Sequence, residues 1–233
     1  MRMKEGIRRA APAMLLRAVL LLGGCSGARR AVANESGFTI PEENAAYVLC
    51  RPLAVKPISV GAAYAEVPDA QFYEIPYQKP EEFLCDLDEA SGSSYVYRAA
   101  SLEEITLERF VAVAAWIYLE GRESAMVGQF YADDEFLPEE KRGLNQSQDT
   151  ALVRSITEAL TNGERTEVPD SLYTDADTYY IRMLGPNYPG LYYNVCFFGD
   201  KEGRYYLEDM GTLEIVRCPE NVILRMVGEP EGE

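Results

Sequence analysis

Beyond Thr178 the chain is a succession of short strand-forming runs separated by turn chemistry, and that pattern leaves little room for anything but antiparallel sheet. Tyr179–Leu184, Leu191–Phe198, Arg204–Glu208 and Thr212–Arg217 are the runs. Gly185-Pro-Asn-Tyr-Pro-Gly190, Gly199-Asp-Lys-Glu-Gly203 and Met210-Gly211 separate them, and each supplies glycine where the backbone must reverse. The spacing predicts a four-strand meander. Three of its strands carry a Tyr-Tyr doublet, at 179–180, 192–193 and 205–206. Successive strand residues point to opposite faces, so each doublet sends one ring inward and one outward. Outward rings, with Tyr193 and Tyr206 as the expected exposed pair, would align into an aromatic platform. Such platforms stack on sugars or hold protein partners. Cross-strand packing in a half-exposed sheet is the plainer product of the same pattern.

The preceding sequence mixes periods. Ala46–Cys50, Ile58–Glu66, Gln71–Ile75 and Tyr95–Ala99 read as strands punctuated by prolines. Pro80–Ala90 reads as a helix: proline suits its first position, Glu81 and Glu82 suit its positive end, and Phe83, Leu84 and Leu87 share a face. Ser101 and Glu104 have the spacing of a capping box, which predicts a helical turn or two toward Phe110. Val111–Leu119, with the only tryptophan, Trp116, reads as a buried strand, and Met126–Tyr131 as its hairpin partner. Gln146–Thr161 is the clearest helix, with Leu152, Val153, Ile156, Ala159 and Leu160 in one stripe and Gly163 at its end. The expected fold class is therefore α+β: a mixed N-terminal region, 38–166, with two or three helices, and a tyrosine-rich antiparallel region, 167–233, separate from it or continuous with it. Gln71-Phe72-Tyr73 recurs as Gln129-Phe130-Tyr131, a faint sign of a duplicated β-β-α unit.

There is no histidine. That excludes Ser-His-Asp and Cys-His catalysis, His-ligated zinc and the usual proton shuttle near neutral pH. Nucleotide-binding glycine loops, an SxxK serine and a GxSxG elbow are also missing from the sequence. What remains is carboxylate chemistry. Asp133, Asp134 and Glu135 form one acidic run, and Asp170, Asp175 and Asp177 a second cluster. Carboxylates hold calcium or hydrolyse glycosides, but the second cluster lacks the glycine and glutamate of an EF-hand, and solvated loop charge accounts for both. No cofactor is implied. The formal net charge is −16, and residues 1–24 carry an excess of four positive charges, so the remainder stands at −20. A body that acidic is repelled by nucleic acid and by anionic lipid.

Cys50, Cys85, Cys196 and Cys218 permit two disulfides in an exported chain, most simply 50–85 and 196–218, or else four buried thiols. The spacing has no CxxC pair for zinc or thiol exchange.

The export expectation rests on the N-terminus. Met1–Arg9 is basic, Ala10–Leu22 is apolar but for Arg17, and Leu22-Gly23-Gly24-Cys25 follows. The last four residues resemble the lipobox of bacterial lipoproteins. The resemblance covers residues 1–25 and implies a signal peptide, 1–24, removed after a diacylglyceryl group joins the Cys25 sulfur. It places the protein in the bacterial cell envelope, on the outer face of a membrane, since two or three acyl chains suffice for stable anchoring. Residues 25–37 would then be the lipidated cysteine and a flexible tether. The function expected is a non-catalytic binding module whose partner is an envelope protein, a peptide or a glycan. The alternatives are a carboxylate-based hydrolase of envelope glycans and a purely structural lipoprotein.

Overall fold

Strands, not helices, dominate. The computed structural model describes residues 27–55, 60–88, 93–119, 126–131, 147–167, 178–200 and 202–227. Its first half supplies β1 (Arg29–Arg30), β2 (Val32–Asn34), β3 (Gly37–Ile40), β4 (Ala45–Leu49), β5 (Leu53–Val55), β6 (Ala63–Val67), β7 (Ala70–Glu74), β8 (Phe83–Asp88) and β9 (Ser93–Ala99). All but β5 form one sheet in the order β1-β6-β7-β8-β9-β4-β3-β2. The two edge strands, β1 and β2, are separated in the chain by Ala31 alone. One short segment thus pairs with both ends of the sheet and draws it almost into a barrel. Ala31 itself is buried and donates its N–H to the Glu66 carbonyl at 2.8 Å.

A barrel this small is filled by its own side chains. Phe38 lies against Phe72 with ring centroids 3.7 Å apart and against Tyr47 at 4.9 Å, and Tyr97 meets both Phe38 and Phe72 edge-on. Ile40, Ala65, Leu84 and Ala99 complete this inner cluster.

The second sheet runs β11-β10-β12-β13-β14-β15, with β5 also pairing to β13. Its strands are β10 (Ala114–Leu119), β11 (Met126–Tyr131), β12 (Tyr179–Leu184), β13 (Leu191–Gly199), β14 (Tyr205–Asp209) and β15 (Ile215–Arg217). The helices are α1 (Leu107–Phe110), α2 (Ser147–Asn162) and α3 (Glu220–Val227). The inner face of this sheet, with Ile181, Tyr193, Val195, Phe197, Leu207 and Val216, joins Leu152, Val153, Ile156 and Leu160 of α2, Val222 of α3 and the outer wall of the barrel in one core. The strand β5 welds the two sheets. It pairs with β13 on one edge, while the Ser94 hydroxyl on β9 donates to the Val55 carbonyl (2.6 Å) and accepts from the Val55 N–H (2.9 Å).

The expected α+β class is therefore corrected to a mostly β architecture of two sheets. The four C-terminal strands do pair in sequence order, but not as a four-strand sheet of their own, because β10 and β11 extend them on one side and β5 adds to β13. Pro80–Ala90 is not a helix: Phe83–Asp88 is strand β8. Both faces of β8 are buried, Phe83 and Cys85 in the inter-sheet core and Leu84 inside the barrel, and a run buried on both faces loses its period of two. The turn expected from Ser101 shortens to α1, capped by Thr106. The tether expected over 25–37 is strand from Arg29, with Gly37 opening β3. The repeated Gln-Phe-Tyr lies on β7 and on β11, but β7 leads into a strand, so the proposed β-β-α unit fails in its first copy.

All four described cysteines are buried thiols, not disulfides. Cys85 and Cys50 flank Val96 from the two neighbouring strands, which sets them about 9–10 Å apart, beyond disulfide reach. Cys196 and Cys218 belong to clusters on opposite faces of the second sheet. Burial pushes the thiols of Cys50, Cys85 and Cys196 up to about 12.

Candidate functional site

The outer face of the second sheet, turned away from the shared core, is aromatic. The antiparallel register puts Trp116 opposite Arg182, Tyr118 opposite Tyr180, Arg182 opposite Asn194 and Phe198 opposite Tyr206. The Arg182 guanidinium stands 4.7 Å from the centroid of Tyr118 and 5.5 Å from that of Tyr192, within cation–π range of both. Trp116 tilts against Tyr192 at 5.5 Å. Its indole Nε1 is buried and has no hydrogen-bond partner among the described residues. Leaving a donor in that state costs about 1–3 kcal/mol, so the unpaired N–H asks for an acceptor.

Alternation of the doublets holds, but the phase assigned to one of them does not. Tyr179, Tyr193 and Tyr205 pack into the inner core, whereas Tyr180, Tyr192 and Tyr206 occupy the outer face. Tyr193, expected outside, is wholly buried (0% exposed). Its hydroxyl donates to Asp209 Oδ1 at 2.7 Å, and the same oxygen accepts the Gly211 N–H at 2.7 Å. Burial and the Asp209 hydrogen bond both push the Tyr193 phenol upward. Tyr206 is on the outer face but only 3% exposed, stacked on Phe198 and donating to Asp200 Oδ2 at 3.1 Å. The two residues expected to form one binding surface therefore lie on opposite faces of the sheet. Trp116 and Arg182, both half-buried, take that place, with Tyr192 (7% exposed) packed against both.

Beside this face, Glu208 is half-buried, and burial followed by the Asp209 charge raises its carboxyl. Glu208 and Asp209 are consecutive on β14, so their carboxyl groups leave opposite faces and do not converge on one substrate. The acidic residues Asp133, Asp134, Glu135, Asp170, Asp175 and Asp177 lie outside the described residues, as does Cys25. Among the described residues no group of three or more Cys, Asp or Glu side chains is placed to hold a metal, and no helix is long and apolar enough to cross a membrane.

A second feature had no clear signal in the sequence. Tyr77 stands 85% exposed with φ of 69°, and Val111 48% exposed with φ of 55°. Tyr77 follows Pro76 in a turn closed by the Gln78 N–H to the Ile75 carbonyl (3.0 Å), at a position where positive φ normally selects glycine. A tyrosine there carries no compositional warning. Compared with family models, characterised proteins and solved structures, the chain matches none of them.

Proposed function

We propose that this chain is an extracytoplasmic lipoprotein, anchored through Cys25 to the outer face of a bacterial membrane, whose second sheet is a non-catalytic recognition surface. The observation that carries the recognition reading is the unpaired, buried indole N–H of Trp116 in the aromatic and guanidinium array of Arg182, Tyr118 and Tyr192. Trp116 keeps part of its ring open beside the buried Tyr118 and Tyr192; a flat ring of this kind stacks on the apolar face of a sugar or on a peptide plane, and a hydroxyl or carbonyl of that ligand satisfies the indole. A glycan or an extended peptide of the envelope fits this chemistry. Nucleic acid does not, because the body is strongly acidic. The hydrolase alternative needs two facing carboxyl groups, an arrangement that Glu208 and Asp209 do not make.

Trp116 is the only tryptophan, so the site reports on itself. Titrating the protein with peptidoglycan fragments, neutral oligosaccharides and peptides should quench or blue-shift indole emission for one of these classes. Trp116→Phe keeps the ring area but loses the donor, and should weaken that binding about tenfold. Binding that leaves the emission unchanged and survives Trp116→Phe would refute the reading. The anchor is tested separately: the chain should incorporate labelled fatty acid, and Cys25→Ala should abolish incorporation.

A further inference from the structure

The short reach of the N-terminal chain decides which end of the molecule meets the membrane, given the anchor proposed at Cys25. Strand β1 begins at Arg29, four residues after Cys25. Four extended residues span at most about 14 Å. Because β1 runs parallel to β6, with Arg29 opposite Ala65, the chain enters the barrel at the end where β6 starts. There β7 finishes, and loop 75–82 leads on to β8. Bonds across this rim hold it together: the Gly61 N–H donates to the Glu74 carbonyl (2.7 Å), and the Tyr47 hydroxyl to the Pro80 carbonyl (2.9 Å). The lipid attachment point is thus tethered to the same end of the barrel as Tyr77.

Three loops lock together around Tyr77. Gln78 Nε2 donates to the Pro189 carbonyl at 2.6 Å. Gly190, with φ of +84°, passes so near Pro76 that a β-carbon there would lie 2.5 Å from the Pro76 carbonyl oxygen. On the far side of the same loop, Asn187 Nδ2 donates to the Arg109 carbonyl (3.2 Å), next to Val111. Beneath them Tyr188 stacks on Phe110 and meets Phe83 edge-on, a rigid floor. The left-handed conformation costs a tyrosine or a valine about 1–2 kcal/mol each. The fold bears that cost at Tyr77, Val111 and Leu213, each with a large apolar side chain held out in solvent, and the first two flank exposed Pro186 and Pro189.

We propose that this rim, led by Tyr77 with Val111, Pro186 and Pro189, rests on the headgroup–acyl boundary of the membrane that holds the lipid anchor. Tyrosine is suited to that boundary, with an apolar ring and a wet hydroxyl. Around the ridge Lys79 is paired with Glu82 and Arg109 with Glu103, while Glu42, Glu81 and Glu108 are exposed. The surface contacted is therefore a neutral one, and anionic headgroups oppose the contact.

The test uses the full lipidated chain reconstituted in phosphatidylcholine vesicles. Its four described native thiols are buried, so a cysteine introduced as Tyr77→Cys takes an environment-sensitive label selectively. Asp69→Cys, in the exposed turn at the opposite end of the barrel, is the control. Pro189→Cys repeats the measurement should the first variant fail to fold. Brominated phosphatidylcholine should quench roughly half of the emission at 77, as for a group about 5–10 Å into the boundary, and none at 69. Equal quenching at both positions, or none at 77 in protein that floats with the vesicles, overturns the proposal. A label at 77 that stays wet on vesicles yet is shielded in intact cells assigns the rim to a protein partner instead and also overturns it. Failure of the wild-type chain to float overturns the Cys25 anchor itself, a result distinguishable from the others.

Discussion

At the scale of single residues, the chain holds some groups in conformations or charge states that they would not choose alone. Tyr77 is the clearest case. Glycine adopts its φ without a steric penalty, so Tyr77→Gly should raise the stability by about 1 kcal/mol in urea unfolding while removing the ring from the rim. A substitution that stabilises the fold and abolishes surface contact is the mark of a functional strain. Asp200 shows a different constraint. Burial would push its carboxyl up, but N–H donors from Arg204 and Glu202, the Arg204 guanidinium and the Tyr206 hydroxyl outweigh that and hold it down at about 2. The value in the unfolded chain is about 3.9. A depressed folded value means that the stabilisation is complete above the unfolded value and is lost as the pH falls from about 4 to about 2. Asp200→Asn should therefore flatten the stability profile in that window and leave its slope above pH 6 unchanged, as acid titration of the unfolding midpoint would show.

At the scale of elements, the two-sheet arrangement hangs on a hydroxyl. Ser94 satisfies both backbone groups of Val55, a buried residue on the one strand that leaves the barrel for the second sheet. Ser94→Ala strands a buried N–H and a buried carbonyl and should cost about 1–3 kcal/mol in denaturant unfolding, whereas Ser94→Thr keeps the hydroxyl and should recover most of it. Nothing in the sequence marks Ser94, because its partner is 39 positions away. What was legible was local. The stripe of Leu152, Val153, Ile156 and Leu160 specified α2 to within a residue at its C-terminal end, and the glycine turns specified the order β12 to β15. What was not legible was set by tertiary contact. Phe83-Leu84-Cys85 reads as one face of a helix until two cores are known to exist, one on each side of the strand. The candidate site divides in the same way: alternation put one tyrosine of each doublet outward, but only the register with β10 and β12 showed that Tyr192, beside Trp116 and Arg182, is the outward member. Tyr193 instead turns in to Asp209.

At the scale of the whole molecule, segment 29–34 separates the reading from sequence and the folded protein most sharply. A flexible tether can be shortened without consequence for the body it holds. A segment that bridges β6 on one side and β3 on the other cannot, because its loss exposes two unpaired sheet edges and uncovers Phe38 and Tyr64. Arg29 fixes the segment further, with its guanidinium 3.9 Å from the Tyr64 ring centroid and paired with Glu43, which also accepts the Tyr64 hydroxyl. The barrel wall and the second sheet share one core, so damage at the seam propagates to both. A chain starting at Gly27 should unfold in a single transition, with near-ultraviolet dichroism and Trp116 fluorescence losing signal together. A chain starting at Gly37 should show a lowered midpoint in both signals and aggregate as its free edges pair between molecules. If both chains unfold at the same midpoint and stay monomeric in sedimentation, residues 29–36 are a tether after all. The rim that carries Tyr77 would then be free to swing clear of the membrane.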